Sequence, residues 1–298
     1  MKKTFILFLA AVFLLNSAAF SAAGKGNVKG YFYEVKSKSA TVYLLGSIHF
    51  ADESFYPLPK HIMKAFKKAA TLGVEADILN IDQQKLQETI LAKALFTDGT
   101  LLSSVISDTV NIQLNTLCSE LGVPPDTFKT MKPWFVSFSL SGLMAMSLGL
   151  KPELGIDIFF LSKAAEAGKK ILELESLGYQ IDLLSGLDME KQVKFLEITM
   201  KEFKSSSDTM IKMKDVWKAG DEKGMEELLE SELDDDEMLK EFNTELFEKR
   251  NIKMKEKIED ILQNGKGVYF VIVGAGHLIG NDGIVELLRT KNFKVKKF

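Results

Sequence analysis

One cysteine, Cys118, occurs in 298 residues. No disulfide can close within the chain, so packing rather than cross-linking must hold the fold. Positive charge is not in surplus either: 38 Lys and Arg stand against 41 Asp and Glu, a formal net charge of −3. A dedicated nucleic-acid binder shows a basic face, and that class is set aside. His-Glu-x-x-His and Gly-x-Ser-x-Gly are both missing, which removes the commonest zinc-peptidase and serine-esterase signatures. Gly274-Ala275-Gly276 opens like a dinucleotide fingerprint, but the next glycine, Gly280, comes one position late and no acidic strand follows to bind a ribose. Cys118 lies in no nucleophile-like context, and a packed thiol is the plain reading. There is no internal repeat and no low-complexity linker.

What is present begins with an export signal. Lys2 and Lys3 precede an uncharged apolar core from Phe5 to Leu15, followed by the small residues Ser17, Ala18, Ala19, Ser21, Ala22 and Ala23. Ser21-Ala22-Ala23 suits a signal peptidase, with Gly24 as the new N-terminus. The apolar core is too short to cross a bilayer of ~30 Å at ~1.5 Å per residue, which argues against an uncleaved anchor. No cysteine stands nearby to carry a lipid. The sequence therefore predicts a signal peptide over 1–23 and a mature chain over 24–298, periplasmic or extracellular, without a stable membrane span. Its 46% hydrophobic content supplies one large core.

Two β-rich ends enclose a helical middle. Tyr31 to Val35 and Thr41 to Leu45 read as strands around a polar turn at Ser37 to Ser39. Pro59 to Ala70 reads as a helix, and Leu72 to Glu75 as a short strand. Ile156 to Ala167 and Ile171 to Glu175 repeat that order. Val268 to Val273 is continuously apolar and β-branched, as in a strand buried on both faces. A helix from Gly283 to Lys291 and a strand from Phe293 to Phe298 follow. These units predict an α/β fold: a central parallel or mixed sheet with flanking helices and a long helical middle segment. The helical insertion covers about 83–150 and 188–264. Trp134 to Leu150 carries no charge, but its serines and glycines dilute it, and a buried or groove-lining helix begun by Pro133 is predicted. Val193, Leu196, Met200 and Phe203 form a helical stripe, and the acidic run Glu226 to Glu241 reads as a solvated face or loop.

Two of the three histidines share one local pattern. Gly46-Ser47-Ile48-His49 follows the strand through Leu45, and Gly274-Ala275-Gly276-His277 follows the strand through Val273. In each, glycine frees the backbone to turn and sets an imidazole beyond the strand's carboxyl end, where ligands bind in parallel sheets. Imidazole ligates transition metals and moves protons near neutral pH, so the repeated pattern predicts one joint site at one rim of the sheet. The alternative is two unrelated strand-end histidines, each bonded locally. His61, on a helix, reads as an ordinary surface residue. Carboxylates close two further strands: Glu75, with Asp77 two residues on, and Glu175, followed by Ser176 and Gln180. Period-two alternation sets Glu173 and Glu175 on one face, and burying two charges is costly, so Glu175 is expected at the rim beside a metal or a basic partner. For each acid alone, capping or ion pairing is the plainer role. Two histidines with one or two carboxylates make a mixed N/O set for zinc, manganese, cobalt or iron.

These pieces resemble the TraB/GumN group, which includes the TIKI metalloproteases. Leu45-Gly46-Ser47-Ile48-His49 with Tyr56-Pro57-Leu58-Pro59 looks like its opening motif, and Val74-Glu75-Ala76-Asp77 like its second. Leu154-Gly155-Ile156-Asp157 with Lys169-Lys170-Ile171 fits the third. Glu175 and Gln180 fit a Glu-Thr-x-x-x-Gln segment, with Ser176 where threonine is usual. Arg250-Asn251 and Gly274 to Gly280 fit the closing motifs. The resemblance implies a fold similar to erythromycin esterases and haem-binding ChaN-like proteins, and manganese- or cobalt-dependent peptide cleavage. By that resemblance His49, Glu175 and His277 hold a divalent metal (Mn, Co or Zn). Glu75, Arg250 and Asn251 are the catalytic residues, with one acid as general base and Arg250 as the oxyanion partner; Gly46, Asp77, Gln180, Gly274 and Gly276 are further motif positions. Taken alone, Arg250 reads as a solvated helix residue paired with Glu248 or Glu245. Glu173 stands where the group often has a smaller residue. Three activities follow: a metal-dependent hydrolase acting on a peptide or small amide, a peptide-sequestering protein, and a haem or metal carrier.

Overall fold

The computed structural model describes residues 28–298 apart from Pro125 and 231–236, so the predicted signal peptide and part of the acidic run lie outside the described residues. Phe203's side chain is outside them too. Among the described residues six strands form one mixed sheet: β1 (Tyr31–Lys36), β2 (Ala40–Ser47), β3 (Thr71–Val74), β4 (Lys170–Glu173), β5 (Gly267–Gly274) and β6 (Val295–Lys297). Their spatial order is β4-β3-β5-β2-β1-β6. The first four run parallel, while β1 pairs antiparallel with β2, and β6 antiparallel with β1.

The helices follow the predicted order. α1 (Lys60–Lys68) precedes β3, then come α2 (Gln83–Ala94), α3 (Asp108–Glu120), α4 (Pro133–Ser147) and α5 (Ile156–Glu166). After β4 stand α6 (Leu177–Ser185), α7 (Met189–Ala219), α8 (Glu222–Glu230), α9 (Glu237–Asn243) and α10 (Lys249–Asn264). A π-helical turn over Thr244–Glu248 joins α9 to α10. The four-residue α11 (Ala275–Leu278) leads from β5 toward α12 (Ile284–Thr290).

The main core covers the sheet, where α1 and α5 bring Phe66 and Phe160 against Phe270 of β5. Phe270 to Val273 are fully buried, as continuous β-branched character predicts for a central strand. Two smaller apolar clusters sit among the helices; one joins Val110 and Leu114 of α3, Val136 and Leu140 of α4, and Leu196 and Met200 of α7. Helix α4 begins with Pro133, whose missing N–H would be unpaired there in any case. The hydroxyls of Ser137, Ser139 and Ser141 donate to carbonyls one turn back, so its polar atoms are satisfied within the helix. Among the described residues no helix is long and apolar enough to cross a membrane.

The topology decides where the candidate residues go. Strands β2 and β5 are parallel neighbours in register, Gly46 opposite Val273 and Ser47 opposite Gly274, so both Gly-x-x-His turns leave the same sheet edge side by side. Strands β3 and β4 end at that edge too. Their pairing continues past the strands: Leu174 N donates to Val74 O at 2.7 Å and Glu175 N to Glu75 O at 2.8 Å, which lays the two glutamates next to each other.

Candidate functional site

His49 is held from three directions. Ile156 N donates to Ile48 O at 3.0 Å, and Ala51 and Lys151 exchange backbone hydrogen bonds, which locks the β2 exit onto the approach to α5. Gly155 fits because it has no side chain: a Cβ there would stand 2.3 Å from the His49 carbonyl oxygen. Asp157, in the first turn of α5, then sets Oδ2 2.8 Å from His49 Nδ1. An ionised carboxylate only accepts, so Nδ1 carries a proton, and in the neutral form of the ring the lone pair is on Nε2. Burial lowers the His49 pKa, but Asp157 more than offsets it and the net direction is upward.

His277 has the same arrangement by a different route. Its Nδ1 lies 2.6 Å from Asn251 Oδ1, while Asn251 Nδ2 donates to Asp282 O at 2.8 Å. A carbonyl can only accept, which fixes the amide with its oxygen toward the ring, and His277 also keeps its lone pair on Nε2. Burial lowers its pKa, as do Arg250 and His49, against an opposing pull from Glu75; the value falls to about 3 and the ring is neutral. Both rings thus have one nitrogen fixed by an oxygen acceptor, the support that metal-binding imidazoles normally have.

Beside them lies a buried ionic cluster. Arg250, 3% exposed, directs Nε to Glu175 at 3.0 and 3.1 Å. Its Nη2 reaches Glu75 and Glu175 at 2.7 Å each, and its Nη1 reaches Leu246 O at 3.1 Å. It is therefore not the solvated residue that its helical context suggested; Lys249 takes Glu245, and Glu248 bonds Asn243 and Thr244. Gln180 Nε2 donates to Glu75 and Glu175 at 3.1 Å each. Glu75 Oε1 accepts from Gly274 N at 2.6 Å and stands 4.0 Å from His277 Nε2. Burial raises the Glu75 pKa, while His277, Arg250, His49 and the Gly274 N–H lower it, and the balance falls to about 2. Since His277 is neutral near pH 7, Arg250 is the standing charge partner.

The structure brings His49, Glu75, Glu175, Gln180, Arg250, Asn251, Gly274, Gly276 and His277 to one rim; Gly46 lies still within β2 rather than in a turn, where a Cβ would meet Ala275 Cα at 3.1 Å. Asp77 stands apart: its carboxylate accepts from Asn80 N and Nδ2, and its N–H donates to Glu173 Oε1 at 2.9 Å. Glu173 is exposed while Glu175 is buried against Arg250. His61 is exposed, beside Phe32 and Phe298. The residue missed as a site residue is Asp157; its signal was its place in Leu154-Gly155-Ile156-Asp157, but an acid in a helix's first turn equally complements the helix dipole.

The two histidines line one cleft, of about 520 Å³ including its open mouth, with Ser47, Ile48 and the Gly274–Gly276 turn. Its other wall is apolar: Met213 and Trp217 of α7, Met225 and Leu229 of α8, and Phe247. Trp217 Nε1 donates to Gly46 O at 2.9 Å, tying that wall to the end of β2.

A sequence profile of the TraB/PrgY/gumN family matches residues 31–297. The chain belongs to this family. The matched span contains every residue of the rim just described. Among its relatives is the Escherichia coli (strain K12) protein YbaP, described as uncharacterized, 28% identical over 251 residues that cover 83% of this chain and 87% of YbaP. YbaP of Shigella flexneri matches equally. An uncharacterized protein of Treponema pallidum (strain Nichols) is 23% identical over 273 residues, 87% of this chain and 80% of its own. No solved structure matches the chain significantly. TraB/PrgY/gumN membership and the rim geometry together frame the functional question.

Proposed function

We propose that this TraB/PrgY/gumN protein is an exported metal-dependent hydrolase that cleaves peptide or other amide bonds with an activated water. The observation that carries the reading is the pair of imidazoles in one cleft, each with Nδ1 fixed by an oxygen acceptor and Nε2 left as the lone-pair nitrogen. Charge points the same way. Three carboxylates, Glu75, Glu175 and Asp157, surround the guanidinium of Arg250, an excess of formal negative charge for which a divalent cation would compete with the proton that Asp157 favours on His49. Buried charge left unbalanced is costly.

For such an ion the candidate donors are His49, His277 and Glu75, with Glu75 in place of the Glu175 that the resemblance implies. Both glutamates are already hydrogen-bonded by Arg250 and Gln180, and what distinguishes Glu75 is its place next to His277 Nε2. Two donors on a tetrahedral ion stand roughly 3.4 Å apart, so the 4.0 Å between Glu75 and His277 needs only a small closure. Among the described residues no three His, Cys, Asp or Glu side chains already stand grouped for an ion. A bound divalent metal would supply Lewis acidity and a water of lowered pKa.

The protein's own groups have distinct tasks. His49 and His277 present Nε2 to the cleft, and Asp157 and Asn251 fix their tautomers. Glu75 stays ionised and accepts a hydrogen bond from the attacking water; a carboxylate of such low basicity orients water better than it deprotonates it. Arg250 holds both glutamates in place, which makes it a positioning residue rather than an oxyanion donor. The apolar cleft wall also suits peptide capture without cleavage, the second reading. The test is turnover of a peptide library by manganese-, cobalt- and zinc-loaded protein, with chelated and His49→Ala controls. Metal-dependent products that vanish in the variant are expected. Tight binding without products in every metal form would favour sequestration, and equal cleavage by all preparations would overturn the hydrolase reading.

A further inference from the structure

Helix α1 is two-sided. Ile62, Ala65 and Phe66 are buried against the sheet, where Phe66 meets Phe270 edge-on with 5.5 Å between ring centres. The other side is basic: Lys60, Lys64, Lys67 and Lys68 are exposed, and the nine-residue helix contains no acid. At 3.6 residues per turn the four lysines fall within about a third of the helix circumference. Lys60 and Lys64 stand one turn apart, as do Lys64 and Lys68, a spacing at which like charges destabilise a helix. Lys60 also lies at the positive end of the helix dipole, where no side chain caps α1. Elsewhere Lys191 takes Glu241 and Lys249 takes Glu245, but none of these four lysines has an ion-pair partner among the described residues. The stability of α1 therefore does not account for this face.

The face continues onto the edge of the sheet. His61 of α1 stacks on Phe298 at 6.1 Å, and Phe298 packs on Phe32 of β1 at 5.5 Å. Phe298 is 46% exposed, and Lys296 of β6 sets Nζ 4.3 Å from its ring centre. Glu34, opposite Lys296 in the sheet, is already held by Lys36 at 2.8 Å. Lysines without acids thus share one flank with an exposed aromatic ring. The whole chain has a formal net charge of −3, so the remainder is more acidic still.

We propose that this flank is a docking surface for an anionic phospholipid bilayer, on which the protein rests reversibly without inserting a helix. Clustered lysines on an amphipathic helix complement a layer of negative headgroups, and each adds its own increment of attraction. Lysine suits such a diffuse layer, because its long apolar stem lies along the surface while the ammonium reaches outward. Phe298 supplies an apolar tip that settles at the boundary between headgroups and acyl chains. No arginine stands on α1 or β6 to grip a phosphodiester or a base edge with two parallel hydrogen bonds, which favours lipid over nucleic acid. The acidic remainder is repelled by the same bilayer, so the charge asymmetry also selects the flank that approaches. None of these residues belongs to the histidine rim, and the inference does not depend on the hydrolase reading.

The experiment is co-sedimentation of the full mature protein with vesicles of phosphatidylcholine, alone or mixed with phosphatidylglycerol, in the presence of a chelator. Binding is expected only with phosphatidylglycerol, strong at ~0.05 M salt and largely lost by ~0.5 M as the charges are screened. Lys60→Gln, Lys64→Gln, Lys67→Gln and Lys68→Gln together should weaken it by about tenfold or more. Tm should not fall in that variant, because the substitutions remove repulsion and no contact. A control removes four exposed lysines of the helical middle, Lys85, Lys201, Lys212 and Lys240, each by substitution with Gln, and should bind as the wild type does. An equal loss in both variants would reduce the effect to net charge and overturn the docking surface. Absence of binding to phosphatidylglycerol vesicles at low salt would overturn it as well, as would binding to a DNA duplex with none to vesicles.

Discussion

At the residue scale, the second partner of each histidine matters as much as the ring. Asp157 gives His49 its tautomer and its raised basicity. Asp157→Asn keeps the shape but removes the charge, and loss of such an outer partner typically costs ~10–100-fold in metal affinity or activity. Competition with a chelator should show metal binding weakened within that range while circular dichroism stays unchanged; unaltered affinity would mean the contact is incidental. The site also sets an acid limit. The His277 pKa lies near 3 against an ordinary 6.5, so between those values the unfolded chain binds a proton that the folded chain refuses. Stability therefore falls as pH drops through that window, by up to ~1.4 kcal/mol per pH unit for one proton. Glu75, near 2 against an ordinary 4.5, adds a loss of the same sign from 4.5 downward. His49 acts oppositely: its raised pKa favours the folded state below 6.5, an advantage lost as pH rises through its folded value. Tm of the metal-free protein should drop from pH 6.5 to 4.5, and His277→Gln should flatten that slope. An unchanged slope in the variant would assign the acid sensitivity elsewhere.

At the element scale, the site works because neighbouring parallel strands end together. The approach of α5 to β2 depends on Gly155, and Gly155→Ala would drive a methyl into the His49 carbonyl oxygen. Backbone must move, at a cost of about 1–3 kcal/mol. Chemical denaturation should show that loss together with a drop in metal affinity, and a neutral effect on both would refute the locking role given to this segment. Most elements were legible in the sequence. The apolar β-branched run at Val268 to Val273 suits a buried strand, and the repeated Gly-x-x-His pattern pointed to one rim. Less legible were roles that depend on which side chain meets which. Arg250 sits one position after Lys249 on the same helix, and only the fold sends Lys249 to Glu245 in solvent and Arg250 into the buried pair of glutamates. Asp157 was hidden for the same reason: its partner is 108 residues away.

At the scale of the whole molecule, the sheet collects at one rim residues that lie more than 200 positions apart in the chain, as His49 and His277 do. The helices α7 and α8 lay an apolar wall beside them, so one cleft combines the two imidazoles with an apolar side. A positively started, apolar first segment fits export of this unit, and intact mass of the exported protein should begin near Gly24; a full-length chain in the membrane fraction would contradict it. The central claim is that the two supported imidazoles hold a divalent metal. Elemental analysis of the untagged mature protein, repeated on His49→Ala and His277→Ala, tests it most directly. The account predicts about one transition-metal ion per folded chain, lost in either variant while circular dichroism is unchanged. Metal-free wild-type protein that takes up no manganese, cobalt or zinc on dialysis, or metal content indifferent to both substitutions, would contradict it.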